Sequence, residues 1–157
     1  MVKLLLAGTG LIGHRHMQHI LEHPELELVG VIDPLITDEK IEGVKTYHSL
    51  NDVNNVAEGI ILATPTDTHA DLTIQALEMG MHVLVEKPVA ASLLEADKMI
   101  SASEKTGLSI LVGHHRRHHP LVNETINILK SGKIGRPVAA SLMWLMRKQD
   151  EYFDVDW

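Results

Sequence analysis

Short apolar runs alternate with longer segments of mixed character along this chain, and that alternation sets the expected architecture. Val2–Ala7 is mostly apolar, the pattern of a strand buried on both faces. Leu11 to about Glu22 reads as a helix that ends before Pro24, and Leu26–Ile32 as a second strand with Asp33 at its end. Residues 35–46 are polar and irregular, with room for one helical turn, and Lys45–His48 reads as a short edge strand. Ser49 is placed to cap a short helix through Val53, and Gly59–Ala63 reads as another buried strand.

A turn follows, with a cap at Thr66 or Asp67. The next helix carries Leu72, Ala76 and Met79 on one face and stops at Gly80. His82–Val85 is the next strand. Ser92 and Glu95 form an S-x-x-E capping box for a helix to about Thr106, closed by Gly107. Ser109–Val112 is a strand again. Pro120 opens a helix to about Ser131, closed by Gly132, and Pro137–Met146 reads as a further strand. Strands alternating with helices predict an α/β fold of Rossmann type, a doubly wound parallel sheet. Right-handed crossovers then place ligands at the carboxyl ends of the strands, where the strand order reverses.

Composition narrows the class. The 157 residues make one ordinary domain, or one domain plus a piece of another, with no repeat and no low-complexity linker. The absence of cysteine removes disulfide frameworks and thiolate metal sites. The N-terminus has neither an apolar region of signal-peptide length nor a cleavage site, and no apolar run reaches membrane-span length, so the expectation is a soluble cytoplasmic protein without a membrane partner. A formal net charge of -7 and 3% aromatic residues argue against a nucleic-acid partner, which wants a basic face and stacking platforms.

Gly8, Gly10 and Gly13 are spaced G-x-G-x-x-G. A Gly-rich turn without a ligand has the same spacing, but here the glycines follow a predicted strand and open a predicted helix. Gly8 suits the tight turn, Gly10 the close approach of a diphosphate, and Gly13 tight packing of helix on strand. The free amides at the head of the helix, from Leu11 and Ile12 onward, and the positive end of its dipole then face the phosphates. Asp33 lies twenty residues beyond Gly13, at the end of the second strand. An acid there accepts hydrogen bonds from the ribose hydroxyls of NAD and repels the 2′-phosphate of NADP. Pro34 and Leu35 offer no guanidinium for that phosphate, so NAD is expected over NADP. The plainer alternative for Asp33 is an Asx turn before Pro34.

Three more segments follow predicted strands: "ATPTDTH" (63–69), "VEKP" (85–88) and "VGHHRRHHP" (112–120). Together with the glycine motif, this set resembles the Gfo/Idh/MocA family of NAD(P)-dependent oxidoreductases, over nearly the whole chain. "HVLVEKP" is its most specific element. The resemblance implies that Gly8, Gly10 and Gly13 form the phosphate loop and that Asp33 is the ribose acid. It implies that Thr64, Pro65 and His69 line the cofactor near its ribose and nicotinamide. Glu86 and Lys87 match the E-K-P pair, with Pro88 fixing the loop, and in relatives the lysine reaches the nicotinamide and the substrate hydroxyl. A cation beside a carbinol oxygen stabilises the alkoxide that develops as hydride leaves. A surface lysine before a turn proline is the structural alternative. Arg117 matches a family arginine; Arg116 or Arg117 either binds an anionic or polyhydroxylated substrate or pins its loop. His114, His115, His118 and His119 suggest a metal, but no carboxylate-rich or thiolate group accompanies them in sequence and relatives need none, so no metal is expected.

Relatives are about twice as long. Their second domain supplies a G-G-x-x-x-D-x-x-x-H element whose acid and histidine take the substrate proton. This sequence has no such element, and Asp154 and Asp156 do not match it. The expected organisation is a dinucleotide-binding domain over residues 1–119, then a linking helix and the first strand of a truncated substrate and oligomerisation domain over 120–157. The expected function is an NAD-dependent oxidoreductase, or its cofactor-binding fragment, acting on a hydroxyl of a sugar, cyclitol or related molecule. The alternative is a non-catalytic NAD-binding sensor or interaction module. The chain alone is expected to be inactive and either to self-associate through residues 137–157, where an apolar strand has lost its sheet, or to be disordered there.

Overall fold

The computed structural model describes residues 1–54, 57–143, 145–148 and 150. The described chain forms two compact units, Met1–Gly113 and His114–Trp157.

The first unit is a seven-stranded sheet with helices on both faces. In chain order its elements are β1 (Val2–Ala7), α1 (Leu11–Glu22), β2 (Leu26–Ile32), β3 (Lys40–Ile41), β4 (Val44–Tyr47), β5 (Gly59–Leu62), α2 (His69–Glu78), β6 (His82–Val85), α3 (Leu93–Thr106) and β7 (Ile110–Val112). The strand order is β3-β4-β2-β1-β5-β6-β7, and every pairing is parallel except β3 with β4. The order reverses at β1, which pairs with β2 on one side and β5 on the other. This is the Rossmann-type arrangement that the pattern predicts.

Alternation along the strands, broken in β2 by a register shift between Leu28 and Gly30, builds two cores. Leu5, Ala7, Ile60, Leu62, Val83 and Val85 join Ala76, Leu77 and Met99 of α2 and α3 on one face. Leu6, Leu28, Val31 and Ile61 pack with Met17 and Ile20 of α1 on the other. Successive side chains of a strand point to opposite faces, so a continuous apolar run serves both layers.

Several local expectations are corrected. Residues 35–46 are not simply irregular: Glu42 (φ 49°) and Gly43 (φ 81°) form the turn of a β3–β4 hairpin. Two successive positive φ values are what a two-residue hairpin turn demands. Ser49 caps one turn of 3₁₀ helix, Leu50–Asp52, with Asp52 closing a capping box. Neither Thr66 nor Asp67 caps α2; both lie in a 3₁₀ turn, Thr66–Thr68, that runs into it. Ser92 caps α3 by accepting from the Glu95 amide, but the Glu95 carboxylate reaches past Ser92 to the Ala91 amide.

The second unit contains a 3₁₀ turn, His115–His118, and α4 (Pro120–Lys130), with proline at its first position. Among the described residues the expected strand Pro137–Met146 does not form, and Val138, Leu142, Met143 and Leu145 are 79–93% exposed. A strand exists only where a partner completes its ladder, and an apolar run records the capacity for pairing without the partner. Trp144, Gln149 and residues 151–157 lie outside the described residues. Part of the self-association segment, with Asp154 and Asp156, therefore does too. Among the described residues no helix is long and apolar enough to cross a membrane.

Candidate dinucleotide site

The register of the sheet sets the site. Ala7 pairs with Ile32 and with Leu62, Leu62 with Val85, and Val85 with Val112. Five strands thus end in one row. The next residues, Gly8, Asp33, Ala63, Glu86 and Gly113, begin the five segments at the carboxyl edge of the sheet.

Gly8 has φ +92°, and a Cβ there would lie 2.4 Å from the Ala63 carbonyl oxygen. A Cβ on Gly13 would lie 2.0 Å from the Gly8 carbonyl oxygen, so the first turn of α1 rests directly on the loop. Gly10 is different: a Cβ there meets nothing within 4 Å. Its space is open, as a glycine kept for a ligand's approach requires. Gly10 is also the N-cap of α1, with no side-chain cap and no acid in the first turn. The amides of Leu11, Ile12 and Gly13 therefore have no intrahelical partner and no competing anion in that turn.

Asp33 is fixed by three hydrogen bonds. The Thr9 amide (2.9 Å) and hydroxyl (2.6 Å) donate to Oδ2, and the Leu35 amide (3.0 Å) donates to Oδ1. Burial opposes the charge. The Thr9 hydroxyl and the Leu35 and Thr9 amides outweigh it, holding the carboxyl below its ordinary value of 3.8. The Leu35 bond is an Asx turn, so that alternative is present as well. Each carboxylate oxygen accepts more than one hydrogen bond, and the Asx turn orients the acid without exhausting it.

Behind the 63–69 loop, His69 is 1% exposed. Its Nε2 lies 2.9 Å from the Thr64 carbonyl oxygen and its Nδ1 2.9 Å from that of Pro88. His69 thus bridges the Thr64–Pro65 loop and the E-K-P loop from inside. The Thr64 and Thr68 hydroxyls lie 2.7 Å apart, and the Pro65 carbonyl accepts from the Thr68 hydroxyl and the Thr68 amide.

Glu86 accepts from the Lys87 amide at Oε2 (3.2 Å), and its Oε1 lies 2.9 Å from His16 Nε2 of α1. Lys87 itself is exposed, and the Lys87–Pro88 peptide is cis. Arg117 is exposed and lies in the second compact unit. Among the described residues no group of three or more His, Asp or Glu is placed to hold a metal ion.

Sequence reasoning missed Thr9 and His16. Both occupy free positions of the glycine motif and its helix, where only their partners, Asp33 and Glu86, reveal their use. A hydroxyl between two glycines, next to a strand that precedes an acid-ended one, was the available signal for Thr9.

An open helix head without a competing anion, beside an ionised acid one strand over, fits a diphosphate and an adjoining ribose. The protein class defined by this fold and site is a Rossmann-type dinucleotide-binding domain. A family model described as oxidoreductase family, NAD-binding Rossmann fold, matches residues 2–114, and the chain belongs to this Gfo/Idh/MocA family. NAD is thus the dinucleotide for which the loop is built. The scyllo-inositol 2-dehydrogenase (NAD(+)) of Bacillus subtilis is 31% identical over 147 residues, covering 87% of this chain and 42% of that protein. The 4-carboxy-2-hydroxymuconate-6-semialdehyde dehydrogenase of a Sphingobium strain is 30% identical, covering 85% of this chain and 44% of the relative. The WlbA dehydrogenase of Bordetella pertussis, solved with NADH and UDP-GlcNAcA, superposes with a TM-score of 0.79 at 26% identity over 86% of this chain and 41% of its own. The chain spans less than half the length of these relatives.

Proposed function

We propose that this chain is the cofactor-binding part of an oxidoreductase that moves hydride between NAD and a hydroxyl-bearing carbon of a sugar, cyclitol or related small molecule. The observation that carries this reading is the pairing of an open Gly10 with an ionised, pre-oriented Asp33 at the switch point of the sheet. Relatives named for inositol and nucleotide-sugar chemistry support the substrate class. NAD supplies the hydride acceptor or donor when bound. The amides of Leu11, Ile12 and Gly13 hold the diphosphate, and Asp33 accepts from the ribose hydroxyls and disfavours NADP. Thr64 and Pro65 line the cofactor. Glu86 orients the lysine loop, and Lys87 stabilises the developing alkoxide by its charge. Arg117 serves substrate binding. The chain works in the cytoplasm, associates with itself through residues 137–157, and alone binds NAD with little turnover.

Titration with NAD and NADP, followed by thermal stability, tests the reading, because a ligand of the folded state raises the midpoint by mass action. NAD is expected to raise it and NADP to raise it less. Asp33→Ala should weaken NAD about tenfold or more, the loss of hydrogen bonds to a charged group. No stabilisation by either nucleotide would defeat the proposal. Sustained NAD reduction with a polyol would defeat the expectation of low turnover.

A further inference from the structure

The carboxylate of Glu86 joins three elements at the carboxyl edge. Its Oε1 lies 2.9 Å from His16 Nε2, one and a half turns into α1, and its Oε2 accepts the Lys87 amide at 3.2 Å. On its third side is Gly113, just beyond β7. A Cβ on Gly113 would stand 2.8 Å from Oε1, 2.9 Å from Cδ and 3.0 Å from Oε2. The carboxylate occupies the volume that any other residue at 113 would fill. The main chain on either side is held without it: the Glu86 amide donates to the Leu62 carbonyl (2.9 Å) and the Gly113 amide to that of Val85 (2.8 Å). The strand ends are therefore paired by main-chain bonds that do not involve the His16–Glu86 contact. What the contact adds is a fixed distance between the helix whose head receives the diphosphate and the peptide that carries Lys87.

We propose that His16 is a positioning residue: acting through Glu86, it holds the Lys87 segment in one frame with the phosphate-binding end of α1. This rests on the cofactor site proposed above. Side-chain exposures of 22% for His16 and 15% for Glu86 leave the pair only partly hydrated, so its geometry is better defined than that of a surface pair. Loss of the imidazole frees the carboxylate to turn toward water and releases the Lys87 amide with it. The adenosine half of the ligand, held by Asp33 and the glycine loop, is not touched by this change.

The test compares His16→Ala and His16→Gln with the parent chain. The glutamine amide can donate where Nε2 does. Two readouts are used: the NMR resonance of the Lys87 amide without ligand, and binding of NADH, by its own emission, against ADP-ribose, which lacks the nicotinamide. His16→Ala should shift the Lys87 amide and weaken NADH about three- to tenfold, the scale of one hydrogen bond. ADP-ribose binding should stay within about twofold. His16→Gln should restore both values. Gly113→Ala, which evicts the carboxylate from the other side with His16 intact, should reproduce the His16→Ala pattern and serves if that variant fails to fold. An unshifted Lys87 amide in a folded variant overturns the proposal, as does an equal loss of NADH and ADP-ribose. If the parent chain binds neither ligand, the cofactor site is what fails, and the Lys87 amide still decides whether the brace exists.

Discussion

Asp33 Oδ2 receives both the amide and the hydroxyl of Thr9, a residue 24 positions earlier and inside the glycine motif. The acid expected to choose the nucleotide and the loop expected to hold its phosphates are therefore one hydrogen-bonded unit. The carboxylate is oriented and kept ionised before any ligand arrives, which lowers the cost of ordering it on binding.

This arrangement has a pH signature. The Asp33 carboxyl titrates below its ordinary value in the folded chain, so the folded state binds its proton less readily than the unfolded state. The resulting stability is fully present above the unfolded value of 3.8 and is lost as pH falls through the lower folded value. Thr9→Val removes the hydroxyl donor and should shrink that acid-limb loss while costing about 1 kcal/mol near neutral pH. Urea midpoints of parent and variant, compared between about pH 6 and about pH 3, measure it. Parallel acid limbs would contradict the assignment.

The glycines separate folding from binding. Gly13→Ala places a Cβ 2.0 Å from the Gly8 carbonyl oxygen, so the helix must move off the loop. A loss of about 3 kcal/mol or more is expected, beyond the usual range for overpacking because the obstacle is backbone. Gly10→Ala meets open space at φ -66° and should leave the thermal midpoint unchanged or slightly raised. NAD binding should nevertheless fall sharply in the Gly10 variant, because its methyl group stands where the diphosphate must approach. Calorimetry and NAD titration on the two variants check the contrast.

His69→Ala should cost about 2–4 kcal/mol. It opens a cavity at a 1% exposed position and leaves the Thr64 or the Pro88 carbonyl, whichever the ring N–H serves, without its buried donor. The loss should be accompanied by faster amide exchange around Lys87, because Pro88 is then held from one side less. A thermal melt and hydrogen-exchange rates over 86–90 measure both effects.

Thr73 lies one turn after His69 in α2, is fully buried, and its hydroxyl has no hydrogen-bond partner. Thr73→Val replaces that hydroxyl by a methyl of similar size and should raise stability by about 1 kcal/mol. A lowered thermal midpoint would show that the hydroxyl is satisfied in solution.

The sequence made visible those features in which one residue type excludes others. Gly8, Gly10, Gly13 and Asp33 stand out because a tight turn, a close approach and an acid at a strand end each leave few options. The strands of the first unit are legible because burial on both faces demands unbroken apolar runs. The His16–Glu86 contact spans 70 residues and leaves no local trace. That the His69 ring lies between the Thr64 and Pro88 carbonyls was not legible, since residue type does not report which side of a loop a ring occupies. The β3–β4 hairpin escaped because a two-residue strand has no period to read. The segment after Pro137 shows the opposite error, an apolar run that the described residues leave unpaired.

The flush row from Ile32 through Ala7, Leu62 and Val85 to Val112 limits how such a protein can diversify. One residue gained or lost within any of those strands would advance its outgoing segment by about 3.3 Å and invert every side chain after it, unless a bulge takes it up as the register shift between Leu4 and Leu5 does against β2. Substitutions beyond the rim carry no such penalty. Lineages sharing this frame are thus free to exchange chemistry by replacing letters, but can change strand length only where a bulge absorbs the difference.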